Sequence, residues 1–168
     1  MKYQFRKAII SETAQIWEIL QAAIARRKAD GSDQWQDGYP NLEVIQKDIN
    51  NGAGYVLTVN DIIAGYVAVL INDEPAYANI EGKWMTDGDF VVFHRVAVST
   101  PYLRQGLAEK MLRYIEEFAL SKKVFSIKAD TNFDNMAMIR TFEKLGYMHC
   151  GEVYLRGAPR LAYEKVLG

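Results

Sequence analysis

Apolar residues along this chain follow two rhythms, one of period two and one of period 3.6, and the switches between them mark out its elements. Residues 3–9 read as a short strand. Ser11 is placed as the N-cap of a helix running to about Ala29, with Ile16, Ile19, Leu20, Ala23 and Ile24 on one side. After a loop at 31–39, Asn41 caps a second helix that ends near Asn50, stopped by Asn51-Gly52. Residues 55–59 and 62–70 form a hairpin across Asn60-Asp61, a pair with the chemistry of a tight turn. The stretch 72–88 is polar and contains Pro75, Tyr77, Gly82 and Trp84; its length suits either a disordered flap or a functional lip. A central strand, 90–98, comes next, then a helix to Leu120 with Leu107, Met111, Leu112, Ile115, Phe118 and Ala119 inward. A strand at 124–130 leads to a helix opened by Asn135, which turns Ile139 and Phe142 to the core and stops at Gly146. Strands at 147–155 and 160–166, around Gly157-Ala158-Pro159, complete a pattern without repeat or linker, read as a single domain over residues 1–168.

The junction after the central strand carries the first chemistry. A buried strand, a short turn and a helix start aim unsatisfied amides and the positive end of a helix dipole at one point, as a pyrophosphate site requires. The turn Leu103-Arg104-Gln105-Gly106-Leu107-Ala108 resembles the cofactor segment of the GNAT superfamily N-acetyltransferases, Arg/Gln-x-x-Gly-x-Gly/Ala. Gly106 and Ala108 take the two small positions, and Leu103 stands where the family has Arg or Gln. Downstream, Asn135 through Phe142 to Gly146-Tyr147 is similar to the family's Asn-x-x-Ala-x-x-x-Tyr/Phe-x-Lys/Arg-x-Gly-Phe/Tyr segment, with Met138 at the usual alanine.

The resemblance implies an α/β fold, a GNAT-like mixed and mostly antiparallel sheet flanked by helices. It also implies acetyl-CoA as co-substrate and acyl transfer to a primary amine by direct attack. The residues that match the family's arm-binding strand are Val96, Ala97 and Val98, acting through backbone groups. Those matching the pyrophosphate turn are Leu103, Arg104, Gln105, Gly106, Leu107 and Ala108. Asn135 matches a contact to the pantetheine arm, and Phe142 is expected to pack beside that arm. Phe142 stands where the family has a tyrosine acid, which leaves the acid role to water or another group, with Tyr154 a distant substitute.

Attack by an amine needs a base or a proton wire, and His94, three residues before Ala97, is the candidate. The competing reading is a histidine hydrogen-bonded inside an apolar strand, since Val92 and Val96 share its expected face. Arg95, on the other face, is expected to pair with an acid such as Asp130. In the loop 33–40, Gln34, Trp35 and Tyr39, interleaved with Asp33 and Asp37, form a lining of acidic, amide and aromatic groups suited to a cationic acceptor. Equally, the two rings could simply pin the loop to the body.

Composition adds limits. At 168 residues and 49% hydrophobic, the chain can bury a full core. A net charge of −1 argues against a general nucleic-acid or anionic-membrane binder. The one cysteine, Cys150, cannot make an internal disulfide, and the amino terminus lacks a signal-peptide pattern, so a cytoplasmic location is expected. No metal is expected from two histidines and one cysteine without ligand spacing. Met111, Met136 and Met138 read as core fillers. A small-molecule amine is the expected partner, without nucleic acid or membrane, and a homodimer stays open. The second functional reading is a coenzyme-A-binding module without catalysis.

Overall fold

The computed structural model describes residues 1–168. In chain order the elements are β1 (Tyr3–Lys7), α1 (Thr13–Ala29), α2 (Leu42–Asn50), β2 (Gly54–Val59), β3 (Ile62–Ile71), β4 (Glu81–Gly82), β5 (Val91–Val98), α3 (Leu107–Ser121), β6 (Ser126–Thr131), α4 (Met136–Lys144), β7 (Met148–Leu155) and β8 (Ala158–Val166). The result is a mixed α/β fold with an eight-stranded, mostly antiparallel sheet, as expected. The chain divides into two compact units, Met1–Val69 with Arg95–Leu112, and Leu70–His94 with Arg113–Gly168.

In the first unit, β1 and β2 pair antiparallel from Tyr3 opposite Val59 to Lys7 opposite Tyr55, and β2 pairs antiparallel with β3. The β2–β3 turn places Asn60 and Asp61 at φ of 51° and 66°, the left-handed pair that a two-residue hairpin requires. Ile16, Leu20, Ile45, Val56 and Tyr66 form the centre of its core, each with no exposed surface. Asn41 caps α2 as expected, its side chain accepting from the Val44 amide at 3.0 Å. The start of α1 differs. A 3-10 turn over Ile10–Glu12 precedes it, so Ser11 is not the cap. Glu12 draws the chain round by accepting from the Ile9 amide at 3.0 Å and pairing through both oxygens with Arg6, at 2.9 and 2.7 Å.

In the second unit, β6, β8, β7 and β4 lie side by side in antiparallel order. β5 joins β6 in parallel, with Val91 opposite Ile127 and Val92 opposite Lys128. The β7–β8 turn is Arg156-Gly157, at φ of 50° and 75°, so Ala158 and Pro159 lie in the strand rather than the loop. β4 and β7 approach so closely that a Cβ on Gly82 would sit 2.2 Å from the Cys150 carbonyl oxygen, and one on Gly151 equally near that of Glu81. Only glycine fits either place. The aromatic side of this unit's core stacks Phe142 against Tyr147 and Tyr163, with ring centroids 5.1 and 4.8 Å away.

The polar stretch 72–88 is a folded lip. Asn72 brackets Phe90, donating its amide to the Phe90 carbonyl and accepting the Phe90 amide on its side chain, both at 2.9 Å. Tyr77 is buried on a 3-10 turn, and the Trp84 indole donates to the Tyr77 carbonyl at 2.8 Å. The lip's far end is held by Glu164, wholly buried, which accepts from the Met85 amide, the Thr86 amide and hydroxyl, and the Ser126 hydroxyl. A carboxylate buried with four donors is satisfied, and it clamps the lip to the sheet.

Candidate functional site

In the first unit the chain leaves β5 through a 3-10 turn at Thr100–Tyr102 and enters α3 after Gly106. Arg104 and Gly106 both take left-handed backbone, at φ of 63° and 74°. Such alternation turns successive N–H groups toward one side, a concavity that favours anions. The Leu103 amide is the last to close a turn, donating to the Thr100 carbonyl at 3.3 Å. The next main-chain bond starts α3, from the Lys110 amide to the Gly106 carbonyl at 3.0 Å. The amides of Arg104, Gly106, Leu107 and Ala108 therefore donate to no main-chain carbonyl, and Arg104, Gln105 and Gly106 are exposed. Leu107 is buried, so its part in such a turn falls to its amide. Beneath the turn, Arg26 of α1 ties the end of β5 in place, donating to the Val98 carbonyl at 3.0 Å and the Thr100 hydroxyl at 2.9 Å.

The end of β5 in this unit carries Val96, Ala97 and Val98, of which Ala97 is buried. Arg95, just before them, sits at φ of 61°, so the strict alternation of the strand breaks there and His94 and Val96 no longer share a face by count. Arg95 does not pair with Asp130. It grips Asp48 of α2 through two nitrogens, at 2.9 and 2.6 Å, and donates to the Tyr39 hydroxyl. The Tyr66 hydroxyl donates to the same Asp48 at 2.7 Å, and burial beside that carboxylate pushes its pKa far up. This network spends Tyr39 on the protein itself. Trp35, at φ of 63°, packs on the core of the first unit, and the Gln34 amide donates to the Ser32 hydroxyl at 3.1 Å. Of the two readings of the 33–40 loop, the geometry is that of aromatic anchors, because both rings are turned to the body.

The second unit holds His94. Its setting is polar, not apolar: Nε2 lies 3.0 Å from Glu74 on the lip and Nδ1 lies 3.8 Å from Asp130 on β6. Asp130 accepts in turn from the buried Tyr77 hydroxyl at 2.5 Å. Burial pushes the Asp130 carboxyl above the usual carboxylate value, opposed by His94, the Tyr77 hydroxyl and Arg160. Burial, with Asp130 beside it, holds Tyr77 as a protonated phenol, well above its ordinary value. Four groups that can carry protons thus stand in line, from Glu74 at the lip through His94 to Asp130 and Tyr77. Glu74 and Tyr77 were missed in sequence because they lie in the polar stretch, some twenty residues from the strand they serve.

Two residues expected at the arm also make contacts within the protein. Asn135 caps α4, its side chain accepting from the Met138 amide at 3.2 Å. Phe142 has no exposed surface and packs among Phe93, Tyr147 and Tyr163, so its ring is core rather than a wall for a ligand. The helical period that turns Phe142 inward is what removes it from any surface. Beside it, the Tyr147 hydroxyl is buried without a partner. The Tyr154 phenol, exposed on β7, is raised by Glu81, which weakens it as an acid. Burial also raises the Cys150 thiol, away from nucleophilic thiolate. No three His, Cys, Asp or Glu side chains are grouped to hold a metal. No helix is long and apolar enough to cross a membrane.

A family model described as the acetyltransferase (GNAT) family matches residues 15–147. Among solved structures, a GNAT-family acetyltransferase from Streptococcus agalactiae 2603 is 38% identical with a TM-score of 0.91, over 99% of this chain and 96% of that one. A GNAT-family acetyltransferase from Listeria monocytogenes 4b F2365 is 20% identical with a TM-score of 0.79, over 98% and 95%. YncA from Salmonella typhimurium, solved with its cofactor acetyl-CoA, is 17% identical with a TM-score of 0.71, over 100% and 95%. At these last two identities the likeness is one of fold. Among curated proteins no match is found.

Proposed function

The chain belongs to the GNAT acetyltransferase family, and from that premise we propose that it transfers the acetyl group of acetyl-CoA to the nitrogen of a small primary amine. The observation that carries the reading is the group of unspent amides of Arg104, Gly106, Leu107 and Ala108 at the start of α3. Amides without acceptors at a helix start suit the pyrophosphate of coenzyme A, and Arg104 adds a charge. YncA, of the same fold, was solved with acetyl-CoA, which supports this choice of cofactor. Backbone groups of Val96 to Val98 suit the amides of the pantetheine arm, by sheet-like bonding.

The ammonium first gives a proton to the His94–Glu74 pair. The neutral amine then attacks the thioester carbon, a C–N bond forms, the C–S bond breaks, and the proton the nitrogen sheds passes through solvent to the departing thiolate. Thiolate leaves readily enough near neutrality for this to proceed without a tyrosine acid. The reading carries a cytoplasmic location with it, where acyl-coenzyme A is available.

Phe142, buried where the family has a tyrosine acid, favours the second reading, a coenzyme-A-binding module without catalysis. One experiment separates the two. Thiol release from acetyl-CoA across a panel of amines, run beside a thermal-shift titration with coenzyme A, shows both release and stabilisation for a transferase. Stabilisation alone leaves the binding module, and neither effect overturns the cofactor assignment.

A further inference from the structure

The lip and the sheet of the second unit enclose a cleft of about 530 Å³, with Tyr77, Trp84, Phe90 and Lys128 in its lining and Glu74 and Asp87 among its acids. Lys128 is the unusual member. It is only 4% exposed, yet its ammonium, which has three protons to donate, finds a single acceptor, the Thr86 carbonyl oxygen at 3.5 Å. Two ring faces flank it, with Trp84 at 4.7 Å and Phe90 at 4.4 Å from Nζ to the centroids, and the Glu164 and Asp87 carboxylates favour its charge from further off. Cation–π contact offsets part of the cost of burying the charge, and burial still lowers the lysine pKa.

The obvious counter-ion is already taken. Glu164 stands opposite Lys128 in the β6–β8 register, but its carboxylate is committed to Met85, Thr86 and Ser126. The structure therefore holds a buried ammonium, positioned by two rings, with donors unspent at the wall of an open cleft. A buried cation of this kind is completed by an anion that can accept two hydrogen bonds, and a carboxylate does so.

The same wall has an opposite end. Asp130 follows Lys128 by two residues on β6, so both side chains lie on one face of the sheet, about 7 Å apart along the strand. Asp130 meets His94, and His94 meets Glu74, which itself lines the cleft. Along one face the cleft thus passes from an ammonium to a proton-accepting pair.

We propose that this cleft binds the acyl acceptor, and that the acceptor is a small amino carboxylate whose carboxylate rests on Lys128 and whose amine lies toward Glu74 and His94. This rests on the transferase reading above and narrows its substrate class. The rings of Trp84 and Phe90 fix Lys128 and keep water from the pair; Glu74, beside His94, attracts the amine end.

Matched pairs of acceptors test this, each an amino acid and the amine obtained by replacing its carboxylate with hydrogen. The wild type is expected to prefer the carboxylate-bearing member by 10-fold or more in kcat/KM. Lys128→Met, which keeps the stem on the rings without the charge, brings that ratio toward one, and Lys128→Arg keeps it. A thermal-shift titration with the amino acids, without acetyl-CoA, gives a binding readout independent of turnover, with stabilisation in the wild type and none in Lys128→Met. Equal use of both members of every pair, with no stabilisation by amino acids, overturns the proposal even where thiol release shows the transferase to be active. If Lys128→Met does not fold, the wild-type ratio and Lys128→Arg still decide. Loss of thiol release with every acceptor, while amino acids still stabilise the protein, would instead count against the transferase reading and leave the cleft's ligand class standing.

Discussion

His94 is placed by its neighbours more than by its own strand. Glu74 holds Nε2 at 3.0 Å, and the Asp130 carboxylate stands 3.8 Å from Nδ1, so the ring is flanked by acidic groups on both nitrogens. His94→Ala is expected to lower turnover about 10²-fold or more, with little effect on coenzyme A affinity. The loss should shrink at high pH, where the amine is neutral unaided. Glu74→Gln is expected to share the defect in part, and steady-state pH profiles of the two variants beside their melting temperatures measure it. Wild-type turnover with an unchanged profile in His94→Ala would make the histidine a structural group. Arg95, its chain neighbour, has a different task. Its side chain locks Asp48, Tyr66 and Tyr39 together, which explains how an arginine is kept at positive φ inside a strand.

At the scale of elements, the turn between β5 and α3 is where backbone does the recognising. A Cβ on Gly106 meets nothing within 4 Å, so a side chain there has room, and its cost is the left-handed backbone. Gly106→Asn, which tolerates that backbone, should therefore keep much of the stabilisation by coenzyme A. Gly106→Glu should abolish it by setting a carboxylate where the pyrophosphate belongs. Thermal-shift titrations of both variants check this. Equal loss in both would mean that conformation, and not charge, governs the site. The lip shows the same economy. Asn72 fastens one end to Phe90 and Glu164 fastens the other, so a stretch rich in polar residues is ordered by a few side-chain bonds instead of a core.

For the whole molecule, acid stability brings two carboxyls of opposite sign into play. The Arg6 hydrogen bond holds Glu12 below the usual glutamate value, so its contribution is present above the unfolded pKa and is lost as pH falls through the folded one. Asp130, raised by burial, does the reverse and contributes below its folded pKa. Glu12→Gln should lower the melting temperature near neutral pH by about 1–4 °C, or ~0.5–1 kcal/mol after allowing for the partly exposed Arg6, and the difference should shrink between neutral pH and an acid pH below the lowered Glu12 pKa. A melting curve that shows the same deficit at both pH values would assign the effect to the Ile9 cap rather than to the charge. The elements themselves were legible in sequence because helix and strand periods, the Asn60-Asp61 turn, the Asn41 cap and the Gly146 stop are local rules of backbone bonding and burial. The glycine-bearing turn at Arg104–Ala108 was legible for the same reason. What only tertiary structure decided are the partners: Glu12 for Arg6 in place of a Ser11 cap, Asp48 for Arg95 in place of Asp130, and Glu74 for His94. The anchoring of Trp35 and Tyr39, the full burial of Phe142 and the unspent ammonium of Lys128 belong there too. Periodicity says which way a side chain points, but a charged or aromatic group chooses among whatever lies within a few ångströms. That set is made by segments far apart in the chain, so no local pattern encodes it.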